Sequence, residues 1–147
     1  MKCVSIIWNC AMPLENEILN IIECNANITD TFKLDLGTSY NNFVRMIYEK
    51  DSIADWKVNE KIKHMDGFGT VVRIVYFDVN VSETFFNPYK KNDVYCKLEL
   101  LKLLIRTICM NKITDYFYDI SFHCSDSKTE YKFDVAVIEN FTHKTDE

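Results

Sequence analysis

The sequence predicts an α+β domain, one sheet with helices on a face, and three observations carry that reading. First, period-two or near-continuous apolar runs alternate with helical stripes in the order βαβ–α–α–β–α–β. Second, 147 residues are the size of one domain and enough to bury a core without staples. Third, 48% hydrophobic and 27% charged residues, with only 3 Gly and 2 Pro, exclude disordered, collagen-like and linker-rich classes. No repeat or internal boundary interrupts the pattern, so residues 1–141 are read as one domain and 142–147 as a flexible tail.

Lys2 to Trp8 is a short β-rich run suited to a central strand. Pro13 fits the first turn of a helix, and Glu15 and Glu17 favour its positive end. Leu14, Ile18, Ile21 and Ile22 then form one apolar stripe. Thr31 to Leu36 alternates, with Phe32, Leu34 and Leu36 on one face of a half-buried strand. Asn41 to Glu49 is a short helix with Phe43, Met46 and Ile47 inward. A second helix is expected from about Ile53 to Met65, opened by the capping-box variant Ser52-Ile-Ala-Asp55. Asp66-Gly67-Phe68-Gly69 stops it. Val71 to Val79 is apolar enough for a buried strand. Phe85 to Asp93, with Asn87-Pro88, reads as a loop. Val94 to Cys109 is helical, with Leu98, Leu101, Leu104, Ile105 and Ile108 inward. Tyr116 to Cys124 is the last clear strand. Tyr118, Ile120 and Phe122 point one way there, and Asp119, Ser121 and His123 the other. Beyond Ser127 the pattern fits a helix from Thr129-Glu130-Tyr131 or a strand over Phe133 to Val137.

Seventeen basic against 22 acidic residues give a net charge of −5. That argues against a domain for long nucleic acids but leaves room for a small phosphorylated ligand held by a local basic patch. The six cysteines show no CxxC pair, and the start breaks its apolar run at Asn9, a poor secretory signal. Reduced thiols and a cytoplasmic location are the expectation. Leu98-Glu-Leu-Leu-Lys-Leu-Leu-Ile-Arg-Thr-Ile-Cys-Met110 carries Glu99, Lys102 and Arg106, so no membrane span is expected.

The sharpest local feature is Phe122-His123-Cys124-Ser125-Asp126-Ser127. A neutral imidazole at a strand end is a competent nucleophile and phosphoryl carrier near neutral pH. Ser125 and Asp126 can supply hydrogen bonds, and Ser127 or Ser125 can cap a helix. The plainer alternative is a solvated His at a turn. A second feature is the basic run Lys90, Lys91, Lys97, Lys102, Arg106 and Lys112, set against Asp93 and Glu99 only. Lys102 and Arg106 are i and i+4 and share a helix face. That face can hold phosphates or simply meet water. Tyr48 and Trp56 are core aromatics or base-stacking groups.

In order along the chain, these features resemble the nucleoside diphosphate kinase family, and the resemblance covers most of the length. Ile120-Ser-Phe-His-Cys-Ser-Asp-Ser127 is similar to that family's N-I-I-H-G-S-D-S. Tyr48-Glu-Lys-Asp51 and Trp56 resemble its nucleobase clamp. Lys63-His-Met-Asp-Gly67 with Thr70-Val-Val72 resembles its K-Y-M-x-S-G-P-V-V. Val79-Asn-Val81 resembles the start of its next helix, and Arg106 falls where it has a phosphate arginine. The departures are Trp8-Asn9-Cys10 for K-P-D, which removes a phosphate lysine, Ile120 for Asn, Phe86 for a second arginine, and Cys124 for Gly.

The resemblance implies a ferredoxin-like four-stranded antiparallel sheet covered by helices. It implies phosphoryl transfer through His123 on a nucleotide or related phosphorylated metabolite, with Asp134 or Glu130 orienting the imidazole. Arg106 with Lys102 or Lys90 would bind phosphate, Tyr48 and Trp56 the base, with Ser125 beside the substrate. Mg²⁺ would travel with the nucleotide, and homo-oligomers would be built on dimers. The alternative is a non-catalytic nucleotide- or partner-binding protein on the same fold.

Overall fold

The structure is a computed structural model describing residues 1–51, 53–113 and 119–145. Strand β1 (Lys2–Ile7) is the apolar run expected at the centre, and every residue after Lys2 is buried. A 3₁₀ turn over Asn9–Leu14 contains Pro13 and leads into α1 (Glu15–Asn25). Next come β2 (Asn27–Asp35), α2 (Tyr40–Tyr48), α3 (Asp55–Met65) and β3 (Val71–Asp78). A hairpin of β4 (Thr84–Asn87) and β5 (Asn92–Tyr95) precedes α4 (Cys96–Lys112). The chain closes with β6 (Phe122–Cys124) and α5 (Lys128–Thr145).

Four strands form one sheet in the order β2-β3-β1-β6, and each neighbouring pair is antiparallel. The two central strands are buried on both faces, so the helices lie on both faces and not on one. Val4, Ile6 and Trp8 pack with Phe43, Ile47, Met65 and Ile138, which places α2, α3 and α5 on the first face. Cys3, Ile7 and Phe77 pack with Ile18, Ile22, Leu98 and Ile105, which places α1 and α4 on the second. The alternation along β1 thus feeds two apolar layers, which is why the run reads as continuously apolar.

Three expectations change, and one alternative is decided. Phe85 to Asp93 is a hairpin, not a loop. Asn87 Oδ1 accepts the N–H groups of Tyr89 and Lys90, and Lys91 sits at φ 58°, so the polar tip turns tightly and Phe85 and Phe86 pair with Val94 and Asp93. No helix starts at Val79–Val81. Val79 N–H donates to Met1 O at 3.0 Å and prolongs the strand. Leu104 is exposed, while Lys102 is buried on the inner side of α4. The last segment, open between helix and strand, is a helix over Lys128–Thr145.

Helix α3 opens at Asp55 with Ala54 at the N-cap. Ser52, its expected cap, lies outside the described residues, as do Tyr116 to Tyr118 of the expected last strand. Asp66 to Gly69 turns as expected, with Gly67 and Gly69 at φ 88° and 87°. The six cysteines are free thiols. No described helix is long and apolar enough to cross a membrane.

Candidate functional site

Strand β6 is only three residues long, yet it is fixed from both ends. Trp8 N–H donates to Ser121 O at 3.0 Å. Ser125 N–H donates to Val4 O at 3.0 Å, and Ser125 Oγ accepts from Val4 N–H at 3.0 Å. Between these clamps His123 lies opposite Ile6. Cross-strand partners share a face, so the imidazole emerges on the side of α2, α3 and α5. Phe122 goes to the other apolar layer, while Ile120, ahead of the strand, joins the first. Both are buried, but on opposite faces rather than the one face expected. His123 is also buried, at 7% exposure, and not on a solvated face.

Helix α5 brings the imidazole its partner. Glu130 N–H donates to Ser127 Oγ at 3.2 Å, so Ser127 is the residue that caps the helix start. Two turns on, fully buried Asp134 places Oδ2 2.9 Å from His123 Nε2. Its other oxygen accepts from Lys50 Nζ at 2.6 Å. With the carboxylate as acceptor, Nε2 carries the proton and the neutral ring keeps its lone pair on Nδ1. The Tyr48 ring stands edge-on to the imidazole, centroids 5.5 Å apart.

His123 lines a cleft of about 850 Å³ together with Tyr48, Lys61, Lys90, Lys102 and Arg106. Carboxylates already meet the cations from α4 and the hairpin. Asp126 is ion-paired to both Lys90 and Lys102. Glu99 lies 3.0 Å from Lys102 and 3.8 Å from Lys90. Arg106 Nε is 3.5 Å from Asp119 Oδ1. Burial pushes the Asp126 carboxyl up, but the two lysines outweigh it and hold the group below the usual range. For Lys102 burial pushes down, and Asp126 outweighs it in turn. At two other cleft groups burial prevails over the opposite charges nearby. Burial, helped by Asp126, raises Glu130 to about 7. Burial brings Lys61 down to about 8.

The cleft therefore collects His123, Glu130, Tyr48, Lys90, Lys102 and Arg106. Of the two expected orienting groups, Asp134 makes the contact with the imidazole. Glu130 stands one turn away on the same face of α5. Tyr48 is packed against Trp8 and Lys61, with its edge on His123, more a floor than an open clamp. Trp56 lies apart from the cleft lining, 54% exposed, with Lys57 Nζ 5.7 Å from its ring centroid. Ser125 is spent on the β1–β6 clamp.

Two residues were missed from sequence. Lys50 gives no signal, since it follows α2 and meets Asp134 through tertiary folding. Lys61 gives one: it falls in the stripe Val58, Lys61, Met65, all three buried. A lysine inside an apolar stripe marks a buried ammonium. Chemically the site offers an oriented imidazole with a free lone pair, cations at one side, and a carboxyl able to hold a proton near neutrality.

No family model matches the chain, and no curated protein does. Among solved structures it is similar to the nucleoside diphosphate kinase of Aquifex aeolicus. That match has a TM-score of 0.55 and 14% identity, and it covers 93% of each chain. The likeness establishes the fold: a four-stranded antiparallel sheet of the ferredoxin-like type, covered by helices.

Proposed function

We propose that this chain transfers a phosphoryl group through His123, taking it from a nucleotide or a related phosphorylated metabolite. The observation that carries the reading is the His123–Asp134 contact on the cleft floor. Asp134 fixes the tautomer, so the Nδ1 lone pair attacks the terminal phosphorus of the donor. The N–P bond forms as the bond to the bridging oxygen breaks, and the electron pair leaves with the shortened donor. An acceptor oxygen then attacks the same phosphorus, the N–P bond breaks, and the neutral imidazole is restored. Asp134 stabilises the positive charge that the ring gains on the way, as a buried carboxylate does for a catalytic histidine. Arg106, with Lys102 or Lys90, faces the phosphate charge across the cleft. Mg²⁺ enters this reading with the nucleotide's phosphates. Among the described residues no three His, Cys, Asp or Glu side chains converge on a metal position.

A second reading is recognition without turnover, and Asp126 favours it. A phosphate drawn to Lys90 and Lys102 must displace a carboxylate that already neutralises both. Incubation with labelled ATP or GTP separates the two readings. Transfer predicts an acid-labile, alkali-stable phosphoprotein that disappears in His123→Ala. Label that survives that substitution removes the mechanism, and nucleotide binding without label leaves recognition as the function.

A further inference from the structure

We propose that Glu130 of α5 is the general base of the second half-reaction and that the acceptor it activates is water, so that this chain hydrolyses its phosphohistidine to inorganic phosphate. The inference rests on the phosphoryl-transfer reading above and names the acceptor and the residue that serves it. Glu130 lines the same cleft as His123. It precedes Asp134 by one turn on the same face of α5, about 6 Å along the helix axis, and Asp134 touches the imidazole. The Ser127 cap fixes the helix start that carries it. Asp126 and Glu99 are ion-paired to Lys90 and Lys102, whereas the Glu130 carboxyl is in no ion pair among the described residues. Attack by the imidazole on the donor makes no use of it.

A carboxylate base has a task only where the acceptor arrives with a proton. A terminal phosphate loses its second proton near about pH 6 and attacks without help. Water, with a bulk pKa of about 15.7, attacks well only as its proton leaves. The charge of the cleft favours water too. Among the described residues, six lysine and arginine side chains line it against five carboxylates. Once His123 carries a phosphoryl group, with a charge of about −2, that balance turns negative. An anionic acceptor is then repelled, and water is not. In the step, the Glu130 carboxylate takes a proton from water as the water oxygen bonds to phosphorus. The N–P bond breaks, its electron pair returns to Nδ1, and inorganic phosphate leaves. Glu130 then gives its proton to solvent. Around Glu130, Asp126 ahead of α5 and Asp51 after α2 favour the neutral carboxyl, while Lys50 after α2 and Lys90 of the hairpin favour the ionised one. Burial is the largest influence and brings the group to about 7. His123 of β6 and Asp134 of α5 complete the titratable surroundings. Near neutrality both forms are present, the neutral one to admit the anionic donor and the ionised one to act as base.

The test incubates wild type, Glu130→Gln, Glu130→Asp and His123→Ala with γ-labelled Mg·ATP from about pH 6 to about pH 9. Samples are quenched in alkali at intervals, and phosphohistidine and inorganic phosphate are measured separately. Wild type should release phosphate over many turnovers, and His123→Ala none. Decay of the wild-type phosphohistidine should quicken as pH rises through about 7 and level off above it, because the carboxylate is the active form. Glu130→Gln should slow that decay roughly a hundredfold, the usual worth of a general base. It should also abolish the rise with pH and leave more of the chain phosphorylated. Glu130→Asp should keep the rise and part of the rate. Decay that is equally fast in wild type and Glu130→Gln overturns the proposal and leaves transfer standing. So does a rise with pH that persists in Glu130→Gln, or a wild-type phosphohistidine that survives in water until a nucleoside diphosphate is added. Phosphate release with no phosphohistidine even in Glu130→Gln overturns both this proposal and the transfer reading, as does a wild-type chain that yields neither product.

Discussion

Asp134 is the residue on which the site turns. It is buried completely, with Lys50 on one oxygen and His123 on the other. A buried carboxylate is stable only when its partners are supplied, and here the turn after α2 and strand β6 each bring one to α5. Glu130, one turn earlier, has no ion pair among those described and rises to about 7 by burial. Its folded value lies above the ordinary value of about 4.3. The neutral carboxyl therefore favours the fold, fully below about pH 4, and this contribution is lost as pH rises towards 7. Glu130→Gln stays neutral throughout. We expect it to be more stable than wild type by about 1 kcal/mol above neutrality, allowing for the group's partial exposure, and equal to it below about pH 4. Urea denaturation at the two pH values reads the difference. An equal gain at both would show that packing, not titration, is responsible. At this scale His123 stood out through its strand-end motif, while Asp134 entered only through the family resemblance, which left it open against Glu130. Lys50 was not legible, because only the folded chain brings it to the carboxylate.

At the scale of elements, the site depends on α5 starting where it does. Ser127 caps that helix, and Asp134 lies two turns further in. Ser127→Ala should cost about 1 kcal/mol, the usual price of a lost N-cap, measurable as a lower urea midpoint with unchanged slope. It should also reduce phosphohistidine formation, because the helix start is what aligns Asp134. Loss of stability with full phosphorylation would mean that the core contacts of Val137, Ile138 and Phe141 alone place the carboxylate. Most elements were visible in apolar periodicity, down to the stripe of α1 and the buried run of β3. The β4–β5 hairpin was hidden because Asn87-Pro88 marks the turn so strongly that its short flanks look like loop. The last segment was ambiguous because Phe133 to Val137 satisfies both a period of two and a helical stripe. The Ser127 cap and the burial of Val137 and Ile138 on the sheet decide for helix.

For the molecule as a whole, the double-faced sheet is what makes the cleft. Helices α2, α3 and α5 cover one face, and β6 at the sheet edge sets the buried His123 on the cleft wall between them and the residues delivered by α4 and the hairpin. The sheet's covering on both faces was concealed in sequence, because a central strand buried on two sides shows no alternation to count. The pairing of the cleft's lysines with Asp126 was equally hidden, since charge along a sequence does not show which charges meet. The central claim is that His123 carries phosphate on Nδ1 while Asp134 holds Nε2. Phosphorus NMR of the chain after reaction with Mg·ATP, at alkaline pH where a phosphoramidate survives, tests this most directly. The account predicts one phosphohistidine resonance, assigned to the Nδ1 isomer and absent from His123→Ala. Phosphate on Nε2, on another residue, or on none, would contradict it.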